Sequence, residues 1–469
     1  MKGQIVIFLS LCALSSAILF NFSNELSHHN EDLKSDEELN TLQIIRKDGY
    51  PAEAHVVITE DGYILTMHRI PGKSGSPAIF LQHGLFGTSA DWVLSGKRKS
   101  LAYLLADRDY DVWLGNFRGN TYSRAHVSLS HKDLKFWDFS WHESGIYDLP
   151  AMITYIVKLK ENFLKAYIGY SMGTTSFYVM ASERPQIARL LQSTYSLAPI
   201  AFMKHVKSPL RYITPLVYSK IIYSIMGKGE LLPQSKVLKF LSKYLCTFVI
   251  WEEKICTNWM FVLAGFDRAQ FNYTLLPVIL NHVPAGTSTK TVIHYGQTIE
   301  SGEFKQYDYG AKRNMEIYKS IKPPKYNLSK ITVPITLFWG ANDWLSSLVD
   351  VMRLSNELPK KPIIYKVPFA KFNHIDFLWA KDVVELLYKK LLDMLNKFLF
   401  HTTKYYINVT NNKLISQYYF SCLLDFRRIL LIFIIIQIDE YRWFVLRSVV
   451  FSNKKYLIEE WGVSRAPVH

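Results

Sequence analysis

Apolar residues recur along this chain with two different periods, and the alternation between those periods predicts its layout. His55 to Thr59 and Tyr63 to Ile70 alternate in the manner of strands, and Asp61-Gly62 between them is a hairpin turn. Ala78 to Gln82 is a third strand, more continuously apolar, ending at His83-Gly84-Leu85. Lys99 to Asp107 reads as helix and Tyr110 to Leu114 as strand. Asp148 to Leu159 is helical by the spacing of Met152, Ile153, Ile156 and Leu159. Ala166-Tyr167-Ile168 is a short apolar strand, Thr174 to Ala181 a helix, and Leu190 to Leu197 another strand. Strands alternating with helices predict the α/β class, with a mostly parallel sheet covered on both faces.

Strands become scarce from about Ala201 to Tyr318, where helical spacing prevails. Pro233 opens a segment with Val237, Leu241, Tyr244, Leu245 and Phe248 on one face and Lys236, Lys239 and Lys243 on the other. That stripe more commonly serves a helix packed on the core, and in a lid the same face can also meet lipid. Alternation resumes with strands at Ile331 to Trp339 and Ile363 to Val367, followed by an apolar-faced helix from Val383 to Phe398. The remainder, 399–469, is rich in Tyr, Phe, Ile, Asn and Lys without clear periodicity, and no role is assigned to it. Its apolar run Ile429 to Ile436 is too short to span a bilayer.

At the other end, Lys2 precedes an apolar run from Ile5 to Phe20 with Ser15-Ser16-Ala17 as a cleavage site, so 1–20 is expected to be a secretory signal peptide. An uncleaved membrane anchor is the alternative, and the run is shorter than the usual span. Asn24 to Glu38 is a polar, acidic leader. Secretion changes what the cysteines mean. With Cys12 removed, Cys246 and Cys256 are close enough to close a small disulfide loop, and Cys422 is left over. Glycosylation sequons at Asn21, Asn272, Asn327 and Asn408 fit the same route.

Composition is that of a globular protein: 469 residues, 49% hydrophobic and 20% charged, which excludes disorder throughout. The net charge of +15 suits anionic surfaces. No zinc-finger spacing, RNA-binding aromatic motif or long basic arm accompanies it, so nucleic acid is not expected as a partner. No metal-ligand cluster or phosphate loop appears, and no cofactor is implied.

The candidate chemistry centres on Gly169-Tyr170-Ser171-Met172-Gly173, a G-x-S-x-G between strand and helix. Such a nucleophile elbow leaves its serine exposed at the apex of a tight turn. Serine needs a neighbouring base, and the base needs a group to hold its tautomer. Asp343 follows the strand ending at Trp339, and His374 lies in the loop after the strand ending at Val367. Both sit where the carboxyl ends of parallel strands converge. Asp350 and Asp376 are rival acids, each within apparent helix. His83 is a rival base, at a position where a loop amide is needed instead of an imidazole. The backbone N–H groups of Met172 and Leu85 are the candidate oxyanion donors, and both side chains are apolar, which suits an acyl chain.

The chain resembles the acid lipases of gastric and lysosomal type, within the α/β-hydrolase fold. The matching stretches include Asp61-Gly62-Tyr63-Ile64-Leu65, Leu81-Gln82-His83-Gly84-Leu85, Trp113-Leu114-Gly115-Asn116, Arg118 to Arg124, Tyr147-Asp148-Leu149-Pro150-Ala151 and Pro284-Ala285-Gly286-Thr287-Ser288, over roughly residues 40 to 398. The resemblance implies a triad at Ser171, Asp343 and His374. It also implies a helical cap with a movable lid, matching 201–322, inserted between core segments 21–200 and 323–398, with Cys246–Cys256 where a lid disulfide falls. The elbow departs from the family's more frequent Gly-His-Ser-Gln-Gly through Tyr170 and Met172, which puts selectivity in question, and Phe117 replaces a smaller residue.

The expected function is a secreted or lysosomal lipase, acting on neutral lipid esters such as triacylglycerols and sterol esters through an acyl-enzyme. It is expected to be a monomer that touches a membrane or lipid-droplet surface transiently. An esterase on small soluble esters would use the same triad. A non-catalytic lipid-binding protein on the same scaffold would lack an activated serine.

Overall fold

The computed structural model describes residues 39–212, 214–215, 229–233 and 261–396. The expected signal peptide, the amphipathic helix after Pro233, Cys246, Cys256, the sequons at Asn21 and Asn408 and the tail lie outside these residues. The chain divides into two compact units, 1–393 and 394–469, and the elements below belong to the first.

Strands β1 (Glu53–Ile58) and β2 (Tyr63–Ile70) form the expected antiparallel hairpin. Gly62 at its turn has φ +93°, which a side chain tolerates poorly. β3 (Ala78–Gln82), β4 (Asp111–Leu114), β6 (Ala166–Tyr170) and β7 (Thr194–Leu197) follow, with β5 (Ala125–His126) a short addition to β2. The two-residue strands β8 (Glu230–Leu231) and β9 (Thr287–Ser288) pair with each other, apart from the main sheet. β10 (Ile335–Trp339) and β11 (Ile363–Lys366) complete it.

The sheet order is β1-β2-β4-β3-β6-β7-β10-β11. From β4 to β11 every pair is parallel, whereas β1, β2 and β4 are joined antiparallel. This is the α/β-hydrolase architecture with its mostly parallel central sheet. β3, β4, β6 and β7 are buried along their whole length, as their apolar runs require. Phe80 and Tyr167 pack edge-on, 5.7 Å apart, beside Trp113 and Phe177 in one continuous core. Burying each such side chain contributes roughly 1.5–3 kcal/mol.

Two strands begin four residues later than expected (194 − 190 and 335 − 331). The strand expected from Leu190 begins only at Thr194, because Leu190 closes the turn of the short helix Pro185–Ala188 through its N–H to Ile187 O. The strand expected from Ile331 begins at Ile335, because Leu328–Lys330 forms a helical turn capped by Asn327. Between Ala201 and Tyr318 the described elements are mainly helical, led by Leu276–His282, Thr289–Ser301 and Ala311–Tyr318. Among the described residues no helix is long and apolar enough to cross a membrane.

After β3 the chain runs to β4 on one side and later returns to β6 on the other. The loops leaving the carboxyl ends of β3 and β6 therefore diverge side by side, and the crevice between them is the place for a site. One buried cation fixes the loop after β4. Arg118 donates to Asp61 at 2.6 and 2.9 Å and to Asp148 at 2.7 Å, with its guanidinium 3.9 Å over the Tyr63 ring. Burial works to raise the Asp61 carboxyl, but the Arg118 bonds and charge outweigh it and hold it below the usual range. Arg118→Met leaves Asp148 buried without its counter-charge. It is expected to cost about 3–5 kcal/mol of unfolding free energy, read as a lower urea midpoint; an unchanged midpoint would contradict this account.

Candidate active site

Ser171 sits between β6 and the helix Met172–Glu183 with φ +51° and ψ −115°, a conformation that costs energy in any residue but glycine. The surroundings enforce it. A side chain on Gly173 would put Cβ 2.5 Å from Gln82 O, and one on Gly169 would lie 2.9 Å from the Gly173 backbone. Ser171 N–H donates to Leu197 O at 3.0 Å, and Thr174 returns two bonds to Ser171 O, at 2.8 and 2.6 Å. The glycines of the motif thus let the helix close down on β3, which forces the serine to the apex.

The acid and the histidine arrive on the loops after β10 and β11. Asn342 N–H donates to Phe372 O at 3.1 Å, which holds the two loops together. His374 Nδ1 lies 2.8 Å from Asp343 Oδ2, and its Nε2 lies 2.9 Å from Ser171 Oγ. Asp343 Oδ1 accepts from the N–H groups of Leu345 and Ser346 at 2.9 and 2.8 Å. A carboxylate only accepts, so Nδ1 carries the proton and Nε2 is the free acceptor for the serine hydroxyl. Ser171 and His374 are each 6% exposed and Asp343 is 2% exposed, so these bonds run through a largely water-free space. The three residues singled out from sequence are joined in one chain.

The rivals have other partners. Asp350, in the helix Leu348–Glu357, accepts from His205 and Ser347. Asp376, in the turn Asp376–Trp379, accepts from Asn373 N–H at 2.7 Å. His83 Nε2 accepts from Phe117 N–H at 3.1 Å, so its Nδ1–H donates to Gly84 O at 2.7 Å. Burial pulls the His83 imidazole down to about 4, against the raising effect of that carbonyl, and it stays neutral. It shapes the loop that carries the Leu85 amide. A Cβ on Gly84 would stand 3.0 Å from the Tyr170 ring and 3.1 Å from Ser171 Cβ, so that loop lies directly on the elbow. Nearby, burial raises Asp91 to about 7 despite the lowering backbone bond from Thr88.

Two positions in the site were not legible as site residues. Tyr170 is marked in the sequence only as a departure from the elbow pattern, yet its hydroxyl donates to His374 O at 3.0 Å. Asn373 accepts from Ile375 and Asp376 N–H at 2.8 and 3.1 Å, closing the histidine loop on itself. Of the other expected positions, Asn327 is exposed and Asn272 half-buried, while Leu85 is half-buried and Met172 buried in the core.

Two family models and several relatives match the chain. Residues 41–96 fit the family model of a partial alpha/beta-hydrolase lipase region, and 77–216 fit that of the alpha/beta hydrolase fold. The chain is 43% identical to Lipase 1 of Drosophila melanogaster over 373 residues, covering 78% of this chain and 82% of that protein. It is 38% identical to gastric triacylglycerol lipase of Rattus norvegicus, covering 76% of this chain and 91% of that one. It is 36% identical to lysosomal acid lipase/cholesteryl ester hydrolase of Homo sapiens, covering 77% and 91%. The chain belongs to the family of gastric and lysosomal acid lipases. This lipase is therefore a carboxylic ester hydrolase, and Tyr170 at its elbow contacts the very loop that presents the histidine. Tyr170→Phe leaves a buried carbonyl short of a donor and is expected to cost about 1–3 kcal/mol in stability. Thermal unfolding of the variant checks this, and a melting temperature equal to the parent's would contradict it.

Proposed function

We propose that this lipase cleaves the ester bonds of neutral lipids, triacylglycerols and sterol esters among them, through a covalent acyl-enzyme on Ser171. The observation that carries the reading is the unbroken chain from Ser171 Oγ through His374 to Asp343, at 2.9 and 2.8 Å. His374 Nε2 takes the hydroxyl proton as Oγ bonds to the ester carbonyl carbon. The resulting oxyanion is held by the N–H groups of Leu85 and Met172. Losing one such donor costs about 3–4 kcal/mol in the transition state. The imidazolium, steadied by Asp343, then protonates the departing alcohol oxygen as the C–O bond breaks. Water repeats the sequence and releases the fatty acid.

Names of relatives support the substrate class: one acts on triacylglycerols and another on cholesteryl esters. The apolar side chains of Leu85 and Met172 fit an acyl chain. The wider reading is a monomer made in the secretory pathway, extracellular or lysosomal, after removal of 1–20. Asn272, Asn327 and Asn408 carry glycans, and Cys246 and Cys256 pair in a lid. Residues 201–322 form the cap through which the protein touches a membrane or lipid droplet for the time of turnover.

Ser171→Ala is expected to lower turnover of an emulsified triacylglycerol by roughly 10⁶-fold while leaving the fold intact. Retained hydrolysis would sink the assignment. In the parent, rate is expected to jump as the substrate passes its solubility limit; smooth saturation through that limit would favour an esterase of small soluble esters.

A further inference from the structure

Ser171 and His374 are held at reacting distance by a closed circuit of contacts that runs through the residue before the serine. Tyr170 ends β6, so its main chain is joined directly to Ser171. Its side chain crosses to the histidine loop, where the hydroxyl donates to His374 O at 3.0 Å. On the way its ring centroid lies 5.2 Å from that of the imidazole, with the two planes tilted by 38°. From the imidazole the circuit returns through Nε2 to Ser171 Oγ, 2.9 Å away. The main chain of His374 is pinned on both sides of its Cα: Tyr170 holds the carbonyl, and Ala264 O accepts from the N–H at 3.3 Å.

The same ring serves the other half of the site. A Cβ on Gly84 would meet both Cδ1 and Cε1 of Tyr170 at 3.0 Å, so the loop that leads to the Leu85 amide rests on the phenol. Tyr170 is itself buried, and it acts on the reacting atoms through these neighbours. A carbonyl oxygen only accepts, so the bond to His374 O needs the phenol to keep its proton. Burial, and after it the charges of Asp343, Asp91 and Asp376, hold the phenol well above its ordinary value, so the bond stays formed well past neutrality.

We propose that Tyr170 is a positioning residue for His374: the length of its side chain sets the gap between Ser171 Oγ and the imidazole, and its hydroxyl is the tie that closes the circuit. The proposal rests on His374 being the general base. Without the tie, the buried carbonyl loses its donor and the histidine loop is released on that side. Reacting groups displaced by about 1 Å lose roughly 100-fold in rate. The histidine more frequent at this place in the elbow cannot do the same work, because an imidazole on the same Cα stops short of the His374 carbonyl. Alignment of the base in this chain therefore depends on the residue by which its elbow departs from the family pattern.

The test reads kcat and KM on a soluble short-chain ester, and the rate at which a fluorophosphonate labels Ser171, at a temperature where the melting curve shows each variant folded. Tyr170→Phe keeps the ring and loses only the tie. Its kcat and its labelling rate are expected to fall together by about 10- to 100-fold, with KM within about twofold of the parent's. Tyr170→His still carries an N–H donor but on a shorter ring, and it is expected to be no faster than Tyr170→Phe. A Tyr170→Phe protein that melts lower yet keeps kcat and labelling within about twofold of the parent would make the tie structural alone and overturn the proposal. A loss confined to KM, or Tyr170→His at the parent rate, would overturn it as well. His374→Ala, measured alongside, separates the two readings. Labelling lost in His374→Ala but unchanged in Tyr170→Phe overturns the positioning role and leaves the base in place. Labelling at the parent rate in His374→Ala overturns both.

Discussion

An imidazole that must meet a hydroxyl on one side and a carboxylate on the other, at hydrogen-bond distance from both, constrains this molecule more than any other contact. Its partners come from distant stretches of chain: Ser171 from the turn after β6, Asp343 from the loop after β10. Here the parallel pairing of β6, β7, β10 and β11 brings the carboxyl ends of those strands to one edge. The strained serine is tolerable because the sheet, through Leu197 O, and the helix, through Thr174, hold it from both sides.

The polar groups that build that contact are placed to satisfy one another. Asp343 gives one oxygen to the imidazole and the other to two backbone amides. His83 accepts one amide and donates to the carbonyl beside it, turning a buried histidine into a brace for the loop after β3. Arg118 joins the hairpin turn, the loop after β4 and the helix beginning at Leu149. Each of these is costly to break singly, since the partner left behind stays buried.

Much of the fold was readable because the period of apolar residues changes sharply between strands and helices. Tyr63 to Ile70 and Ala78 to Gln82 were found at their true limits, where turn residues mark both ends. Limits failed at Leu190 and Ile331, where apolar residues belong to turns and give the same local pattern as a strand. Ser171, Asp343 and His374 could be picked out because each follows a strand that ends in a recognisable motif. Tyr170 and Asn373 could not be placed in the site, because each acts through a backbone partner far away in sequence.

The central claim is that ester cleavage passes through a bond to Ser171 Oγ, with His374 Nε2 taking its proton. Rapid quenching in acid during turnover of a long-chain ester, followed by peptide mass analysis, tests it most directly. The account predicts an acyl adduct on the peptide containing Ser171, formed faster than free fatty acid is released and absent when His374 is replaced by Ala. Turnover at the parent rate with no adduct on that peptide, or an adduct on another residue, would contradict it.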